Sequence, residues 1–477
     1  MPRGLTLIPK RPSPSSRTVD RLLDSQTVGE RQSRLTRRGL MRTAAAPLLS
    51  IAGCRRERAA SRIVIATFDS MRADAAISPN LKALADDGIS FSRAYAPAPW
   101  TLPSLASMLT GLSPFAHGVR TYDSGLPVEA LSIPRLLSEN GFATALIGFS
   151  PFFEPDYGLT AGFGDLEAHW RTSRNNPTGR ALPMVGSPDL TLGALKWLRA
   201  HRDEPFFLWV HYYDPHLPYA PPSEWLPDQA RFGAFYDDHD TAFRSMPLDA
   251  ARSTARQLYD AEVRFVDSQL GKILRLLREL AVYDDTLVVA ASDHGEEFWE
   301  HGSFAHGRSL YDEVLRIPLV IKPPWRGGPT ISREQVSLEA LFPTIADVAG
   351  LTFDSSALSH RSLRDVIEGR GEGKPASPLL ATSVTRGEDQ VAVRFGRWKC
   401  IVGLETDEAL LFDVENDPLE QDDVAASEAS AMATARSTLQ GGLHAELLRK
   451  EALGMPPRPV SPADQRLERL RTLGYVQ

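Results

Sequence analysis

Four short apolar runs punctuate the first two-thirds of the chain, and each stops abruptly. Ile63–Phe68 stops at Asp69, Thr144–Ile147 at Gly148, Phe206–Val210 at His211, and Thr286–Ala291 at Ser292-Asp293-His294. Runs of this length without alternation suit strands buried on both faces of a parallel sheet. Between them the period changes. Pro79 to Gly88 carries Leu81 and Leu84. Ala261 to Leu280 places Val263, Val266, Leu270, Ile273, Leu276, Leu277 and Leu280 at three- and four-residue steps, the stripe of a helix that covers a sheet. Alternating strand and helix predicts an α/β fold, a large mostly parallel sheet flanked by helices. In such sheets ligands lie beyond the carboxyl ends of the strands, where Asp69, His211 and Asp293 fall.

The texture changes near residue 350. Residues 351–380 read as loop with one short helical patch, Val391–Phe395 and Leu410–Asp413 as short strands, and 426–454 as a helix rich in Ala, Glu and Leu. The expected plan is a main α/β domain over 62–350 and a smaller α+β subdomain with a proline-rich tail over 351–477.

Composition narrows the class. The 477 residues are 42% hydrophobic and 24% charged, ordinary values for a globular chain. Charge is unevenly spread: the first sixty residues hold 13 basic side chains against 4 acidic, leaving 40 basic against 56 acidic in the rest. An acidic body argues against a nucleic-acid partner. It leaves room for an anionic substrate, because a local metal outweighs a distant field.

The basic segment Thr36–Arg42 runs into the apolar stretch Thr43–Gly53 and then Cys54, the order of parts in an export signal. Eleven residues are too few to span a bilayer, which takes about 20. Arg37-Arg38 with Leu40 resembles a twin-arginine signal, and Ile51-Ala-Gly-Cys54 resembles a bacterial lipobox. Residues 1–53 are therefore expected to be an export signal read by the twin-arginine machinery, and 54–61 a linker. Cys54 would carry lipid that anchors the protein to a membrane of the bacterial cell envelope. A disordered basic tail with a chance cysteine is the plainer alternative. The second and last cysteine, Cys400, then has no partner and is expected to be a small buried hydrophobe in a strand.

Four segments carry candidate chemistry. Asp69 follows a buried strand, where a carboxylate can bind a metal or cap a turn. In Pro99–Gly111, Pro103 suits the first turn of a helix and Gly111 its end, which puts Thr101 just before the helix N-terminus. Free backbone N–H groups there favour an anion. A hydroxyl at that place is an N-cap, or a nucleophile facing phosphorus or sulfur. Ser292-Asp293-His294-Gly-Glu-Glu297, followed by His301, His306 and Arg308, gathers three of the chain's 11 histidines. Carboxylate beside imidazole suits Zn²⁺ or Mn²⁺, though a solvated loop would read similarly. His211 and His216 lie among aromatics and prolines and can hold an oxyanion or serve structure alone.

Taken together the segments resemble one family, the sulfatase-type branch of the alkaline phosphatase superfamily. The matching pieces run in the family's order. They are Asp69 with Arg72, Ser78-Pro-Asn-Leu, Pro103–Gly111, His117-Gly-Val, Asp214-Pro-His216-Leu-Pro-Tyr and Ser292-Asp-His-Gly-Glu, then Leu310–Leu319, Pro343–Gly350 and Leu411–Pro418. Departures are as informative. Sulfatases carry Cys-x-Pro-Ser-Arg, whose Cys becomes a formylglycine; here the stretch is Thr101-Leu-Pro-Ser-Leu105, so no formylglycine can form there. Gly148-Phe-Ser-Pro-Phe152 stands where the family has Gly-Lys-x-His, and Ser70 replaces the second of two early aspartates. A Thr nucleophile is the pattern of the superfamily's phosphotransfer branches.

The resemblance implies an alkaline phosphatase-like fold and hydrolysis of sulfate or phosphate esters through a covalent intermediate on Thr101. It implies that Asp69, Thr101, Asp293 and His294 hold one divalent metal, Ca, Mn, Mg or Zn. Arg72 would stabilise the alkoxide or the transferred group. His216 and His306 would hold non-bridging oxygens, one of them protonating the leaving group, with His211 and Arg308 on the substrate side. A second metal stays open, with His211, His216 and His306 as spare ligands. The expected substrate is a small-molecule, lipid or glycan ester. A transferase acting on an envelope lipid or glycan and a binding protein without turnover are the alternatives; oligomeric state is left open.

Overall fold

The computed structural model describes residues 59–461 except 76–77, 170–171, 174–181, 184, 227–242, 244–245, 326–327 and 371–376, and also 466, 467 and 470. The expected export signal and the Cys54 lipidation site lie outside the described residues, as does most of the tail.

A nine-stranded sheet forms the centre. Its strands are β1 (Arg62–Phe68), β2 (Ile89–Tyr95), β3 (Ala143–Phe149), β4 (Asp165–His169), β5 (Phe206–Tyr212), β6 (Thr286–Ser292), β7 (Arg316–Ile317), β8 (Leu319–Lys322) and β9 (Thr330–Ser337). They lie in the order β7-β2-β8-β6-β1-β5-β3-β4, with β9 also pairing β2. The run β6-β1-β5-β3-β4 is parallel throughout. β8 joins antiparallel to β6 and β2, which makes the sheet mixed but mostly parallel. Every residue of β5 and β6 is buried, as their unbroken apolar runs require.

Helices cover the faces. The longest, α4 (Leu248–Glu279), packs on α1 (Pro79–Asp86) and α3 (Ser187–His201). It begins thirteen residues before the expected Ala261, because Ala251, Thr254, Ala255 and Leu258 continue the buried stripe. Their small side chains blunt the hydrophobic signal without breaking the helical period. α2 (Thr101–Thr110) is buried along its whole length and stops at Gly111, whose φ of +70° is the left-handed turn glycine accepts without strain.

The C-terminal subdomain is an antiparallel sheet, β10 (Leu379–Thr382), β11 (Gln390–Phe395), β12 (Trp398–Gly403) and β13 (Ala409–Asp413), with the helix α5 (Ala429–Leu453) against β11 and β12. Cys400 is buried in β12, as expected. A small apolar cluster joins this sheet to the main domain through Tyr95, Leu310, Val314 and Leu315. Beside it sits a buried ion group. Asp312 pairs with Arg394 and, at 2.8 Å, with Lys399, which in turn lies 2.7 Å from Glu420. The Arg394 guanidinium also lies over the Tyr95 ring. Against the cost of burial, Arg394 and Lys399 hold the Asp312 carboxyl far below the usual carboxylate range.

Removing one partner of such a group leaves its cations buried and uncompensated. Asp312→Ala is expected to lower stability by about 3–5 kcal/mol, read from the midpoint of urea unfolding. A change below about 1 kcal/mol would mean the group adds nothing to subdomain docking.

Candidate active site

Strand register brings the chemistry together. Phe68 of β1 pairs with Ser292 of β6, so Asp69 and Asp293, each one residue on, emerge side by side. Thr67 pairs with His211 of β5, which places that ring on the other flank. All three side chains are fully buried, and one potential ligand atom from each falls within 4.8 Å of the other two.

The chain leaves β1 through Ser70, whose φ of +65° is strained for a non-glycine residue, at a cost of order 1–3 kcal/mol. Several hydrogen bonds hold it there. The Ser70 amide donates to Asp293 Oδ1 at 3.1 Å, and its hydroxyl to Asp69 Oδ1 at 3.0 Å. The Tyr259 hydroxyl, from α4, donates to the Ser70 carbonyl and accepts from the Arg72 amide. Ser70 thus takes the place of a carboxylate and serves as a donor to the remaining one.

Thr101 arrives from the opposite side. It is the first residue of α2, and Trp100 is the N-cap, so the sequence expectation was one residue out. Thr101 Oγ1 lies 3.2 Å from His294 Nε2 and 3.4 Å from Asp69 Oδ2. His294 Nε2 in turn lies 3.4 Å from Asp69 Oδ1 and 3.6 Å from Asp293 Oδ2. The four residues expected to share a metal therefore meet at one point. Ser104, on the same helix, donates to the Asp293 carbonyl at 2.6 Å and fixes α2 against this loop.

The electrostatics call for a cation. Burial, then the charge of Asp293, hold the Asp69 carboxyl well above its ordinary range. Burial also raises Asp293. Burial, with His294 nearby, pushes the His211 imidazole down to about 3, so it is neutral. His294 Nδ1 lies 2.8 Å from the Gly295 carbonyl, which can only accept; Nδ1 therefore carries a proton and Nε2 faces the carboxylates, the orientation a metal-binding imidazole takes. Asp293 Oδ2 and His211 Nε2 are buried and make no hydrogen bond. Two carboxylates, two imidazoles and a hydroxyl form a donor set that fits a divalent metal. Asp69, Asp293, His294 and Thr101 would hold it, with His211 a further nitrogen within reach.

A second tier surrounds this centre. The His306 ring lies 4.5 Å from that of His294 and 4.9 Å from that of His216. His306 Nδ1 is 2.9 Å from Glu296 Oε1, and Glu296 Oε2 accepts from the Tyr219 hydroxyl. Burial pushes Glu296 up to about 8 and His216 down to about 3.

Arg72 departs from expectation. Its guanidinium donates twice to Asp74, once to Glu300 and once to the Glu296 carbonyl, which occupies four of its five N–H groups. It braces the 296–300 loop and is not offered to Thr101. His301 also leaves the cluster: Nδ1 meets Glu313 at 2.6 Å, Nε2 meets the Glu420 carbonyl, and the ring stacks on Tyr311. Arg308 is exposed, near enough for its charge to act on His306. Glu296 and Tyr259 were not anticipated. Glu296 stood inside the quoted Ser292–Glu297 motif, but Tyr259 gives no sequence signal, since it lies on a helix that comes near only in the fold.

Comparison with known proteins agrees with this frame. The family profile described as Sulfatase matches residues 64–351, so the chain belongs to the sulfatase family of ester hydrolases. Choline-sulfatase of Rhizobium meliloti (strain 1021) is 26% identical over 415 residues, covering 74% of this chain and 78% of that one. Iduronate 2-sulfatase of Mus musculus is 26% identical over 359 residues, 57% of this chain and 64% of its own length. Among solved structures, the phosphonate monoester hydrolase of Silicibacter pomeroyi superimposes with a TM-score of 0.65 at 21% identity, over 80% of this chain and 94% of that one. A structure in complex with its substrate D-glucosamine-2-N,6-O-disulfate gives 0.67 at 20% identity, over 82% and 98%. The fold is the alkaline phosphatase-like α/β one.

Without a cation, the neutral forms of Asp69 and Asp293 are favoured by folding. Their contribution is complete below the ordinary carboxylate pKa of 3.8 and is lost as pH rises through the raised folded values. In EDTA, melting temperature is therefore expected to fall as pH is raised from 4 toward neutrality. Asp293→Asn should flatten that slope. Mg²⁺ or Mn²⁺ at a hundred times its dissociation constant should return about 2.7 kcal/mol to the wild type and much less to Asp293→Asn. A wild-type melt indifferent to every divalent cation would contradict the donor set.

Proposed function

We propose that the protein is a metal-dependent hydrolase of sulfate or phosphate esters in which Thr101 is the nucleophile. The observation that carries this reading is the position of Thr101 Oγ1. It is buried at the start of α2 and within 3.5 Å of both His294 Nε2 and the Asp69 carboxylate. A free alcohol is a poor nucleophile at neutral pH. A divalent cation in the Asp69–Asp293–His294 set would supply the charge that makes loss of the Thr101 proton accessible there.

The chain's own residues account for the rest. The positive end of the α2 dipole, where Thr101 stands, favours the anionic group being attacked. Thr101 Oγ1 passes its proton to the Asp69 carboxylate, to which it donates, and forms a bond to phosphorus or sulfur as the bond to the leaving oxygen breaks. His306 takes a proton at Nδ1 from the Glu296 carboxyl, which burial raises to about 8, and gives the leaving oxygen the proton on Nε2. A water molecule then attacks the Thr101 ester and gives one proton back to His306 Nε2, Nδ1 returns its proton to Glu296, and the departing Thr101 oxygen recovers its proton from Asp69. His216, stacked on Tyr213 with its ring facing His306, holds a non-bridging oxygen. The leader sequence supports a place in the cell envelope, anchored through Cys54.

Thr101→Ala is expected to lower kcat by about three orders of magnitude or more while leaving the melting temperature of the folded chain near wild type, with metal still held by Asp69, Asp293 and His294. The assay is a panel of 4-nitrophenyl sulfate, phosphate, phosphodiester and phosphonate esters with Mg²⁺ or Mn²⁺. The preferred ester fixes the transferred group. Turnover of all four that survives Thr101→Ala would remove the nucleophile assignment. Turnover that appears only when a second alcohol is added would make the protein a transferase.

A further inference from the structure

The sequence lacks the cations that the family places around the transferred group. Leu105 stands at one such position and is fully buried in the apolar core. The Gly148–Phe152 segment offers Ser150, which accepts from the Phe152 amide. Arg72 is committed to the 296–300 loop. A pocket built for an anion still needs positive charge, and the fold brings one in from the C-terminal subdomain.

The turn that follows β10, Ser383 to Arg386, docks directly on the catalytic loops. The Thr385 and Arg386 amides both donate to the Gly307 carbonyl, at 3.0 and 3.1 Å, and the Gly307 amide donates to the Pro99 carbonyl at 3.0 Å. Gly307 is the residue after His306, and Pro99 lies two before Thr101. The turn is also tied to the N-cap of α2, since Trp100 Nε1 donates to the Ser383 carbonyl at 2.7 Å. Two backbone features show that the docking is built in. Ser383 is buried at φ +76°, a strained value for serine, and Gly307 takes φ +76° as well, where a Cβ would fall 2.8 Å from Thr385 Oγ1 and displace that side chain. The charge of Arg386 helps to keep His216 and His306 neutral and acts on Glu296, which places it amid the second tier of the site.

We propose that Arg386 is the residue that binds the non-bridging oxygens of the transferred sulfate- or phosphate-type anion, so that the C-terminal subdomain completes the active site of the main domain. A guanidinium presents paired N–H groups to a tetrahedral oxyanion, which suits it to this task. The inference rests on the ester-hydrolase reading for its kinetic part and on anion binding alone for the rest.

The test uses the full chain loaded with Mn²⁺. Inorganic phosphate is titrated by calorimetry into the wild type, Arg386→Ala and Arg386→Lys, and the preferred 4-nitrophenyl ester is assayed in parallel. Loss of one charged hydrogen-bonding partner should weaken phosphate binding and kcat/KM in Arg386→Ala by roughly tenfold to a hundredfold, with Arg386→Lys between the two. Millimolar guanidinium should restore turnover to Arg386→Ala, which sodium chloride at equal ionic strength should not. Phosphate binding and kcat/KM within twofold of wild type in Arg386→Ala would overturn the proposal, as would a wild type that binds no phosphate. If Arg386→Ala melts much lower, guanidinium rescue decides: recovery supports the assignment and its absence rejects it. A wild type that binds phosphate through Arg386 but cleaves no ester would sink the hydrolase reading and leave this one standing.

Discussion

Two buried carboxylates held side by side are the constraint around which the site is organised. Asp69 and Asp293 are placed by adjacent parallel strands in fixed register. Like charges at such range in a buried site cannot both persist unaided. The fold answers with donors at each oxygen it can reach. Ser70 is forced into a left-handed backbone to supply two of them, and Tyr259 reaches from α4 to hold that backbone in place. His294 turns Nε2 inward. What is left over, an unbonded carboxylate oxygen and a neutral imidazole nitrogen, makes a candidate coordination sphere for a cation.

The same constraint explains the departures from the family pattern. A second aspartate at position 70 would add a third negative charge, whereas the serine found there adds none and donates a hydrogen bond to each of the existing pair. With fewer carboxylates the centre demands less positive charge from its surroundings, and the cations missing at 105 and in 148–152 are consistent with that. The anion still needs some, and the C-terminal subdomain is well placed to supply it. Its docking is not incidental, for Asp312, Arg394, Lys399 and Glu420 form a buried ion group across the junction. The turn that carries Arg386 is bonded to Gly307 and to Trp100, which adjoin His306 and Thr101.

Much of the frame could be read from the chain before its folding was known. The four apolar runs appeared as strands β1, β3, β5 and β6, two of them running past the expected stops at Gly148 and His211, and Asp69, His211 and Asp293 gather at one end of the sheet. Asp69, Thr101, Asp293 and His294 were named from their local contexts and do converge. Arg72 misled because closeness in chain to Asp69 says nothing about where a long side chain turns, and here four carbonyl or carboxylate contacts take its guanidinium. His301 misled for the same reason, drawn off by Glu313 and Tyr311. Tyr259 gave no signal at all, since it reaches the site from a helix far away in sequence.

The sequence by itself determined which segments form strands and helices, where each strand ends, and which residue types stand at those ends, because hydrophobic period and chain termination are local properties. Only the tertiary structure decided which of those ends face one another, which charged side chains are consumed by structural ion pairs, and which remain to meet a ligand. The physical reason is that strand register and domain docking are set by the sum of many contacts between distant segments. A side chain's partners, and therefore its charge state and its availability, exist only once that sum has been settled.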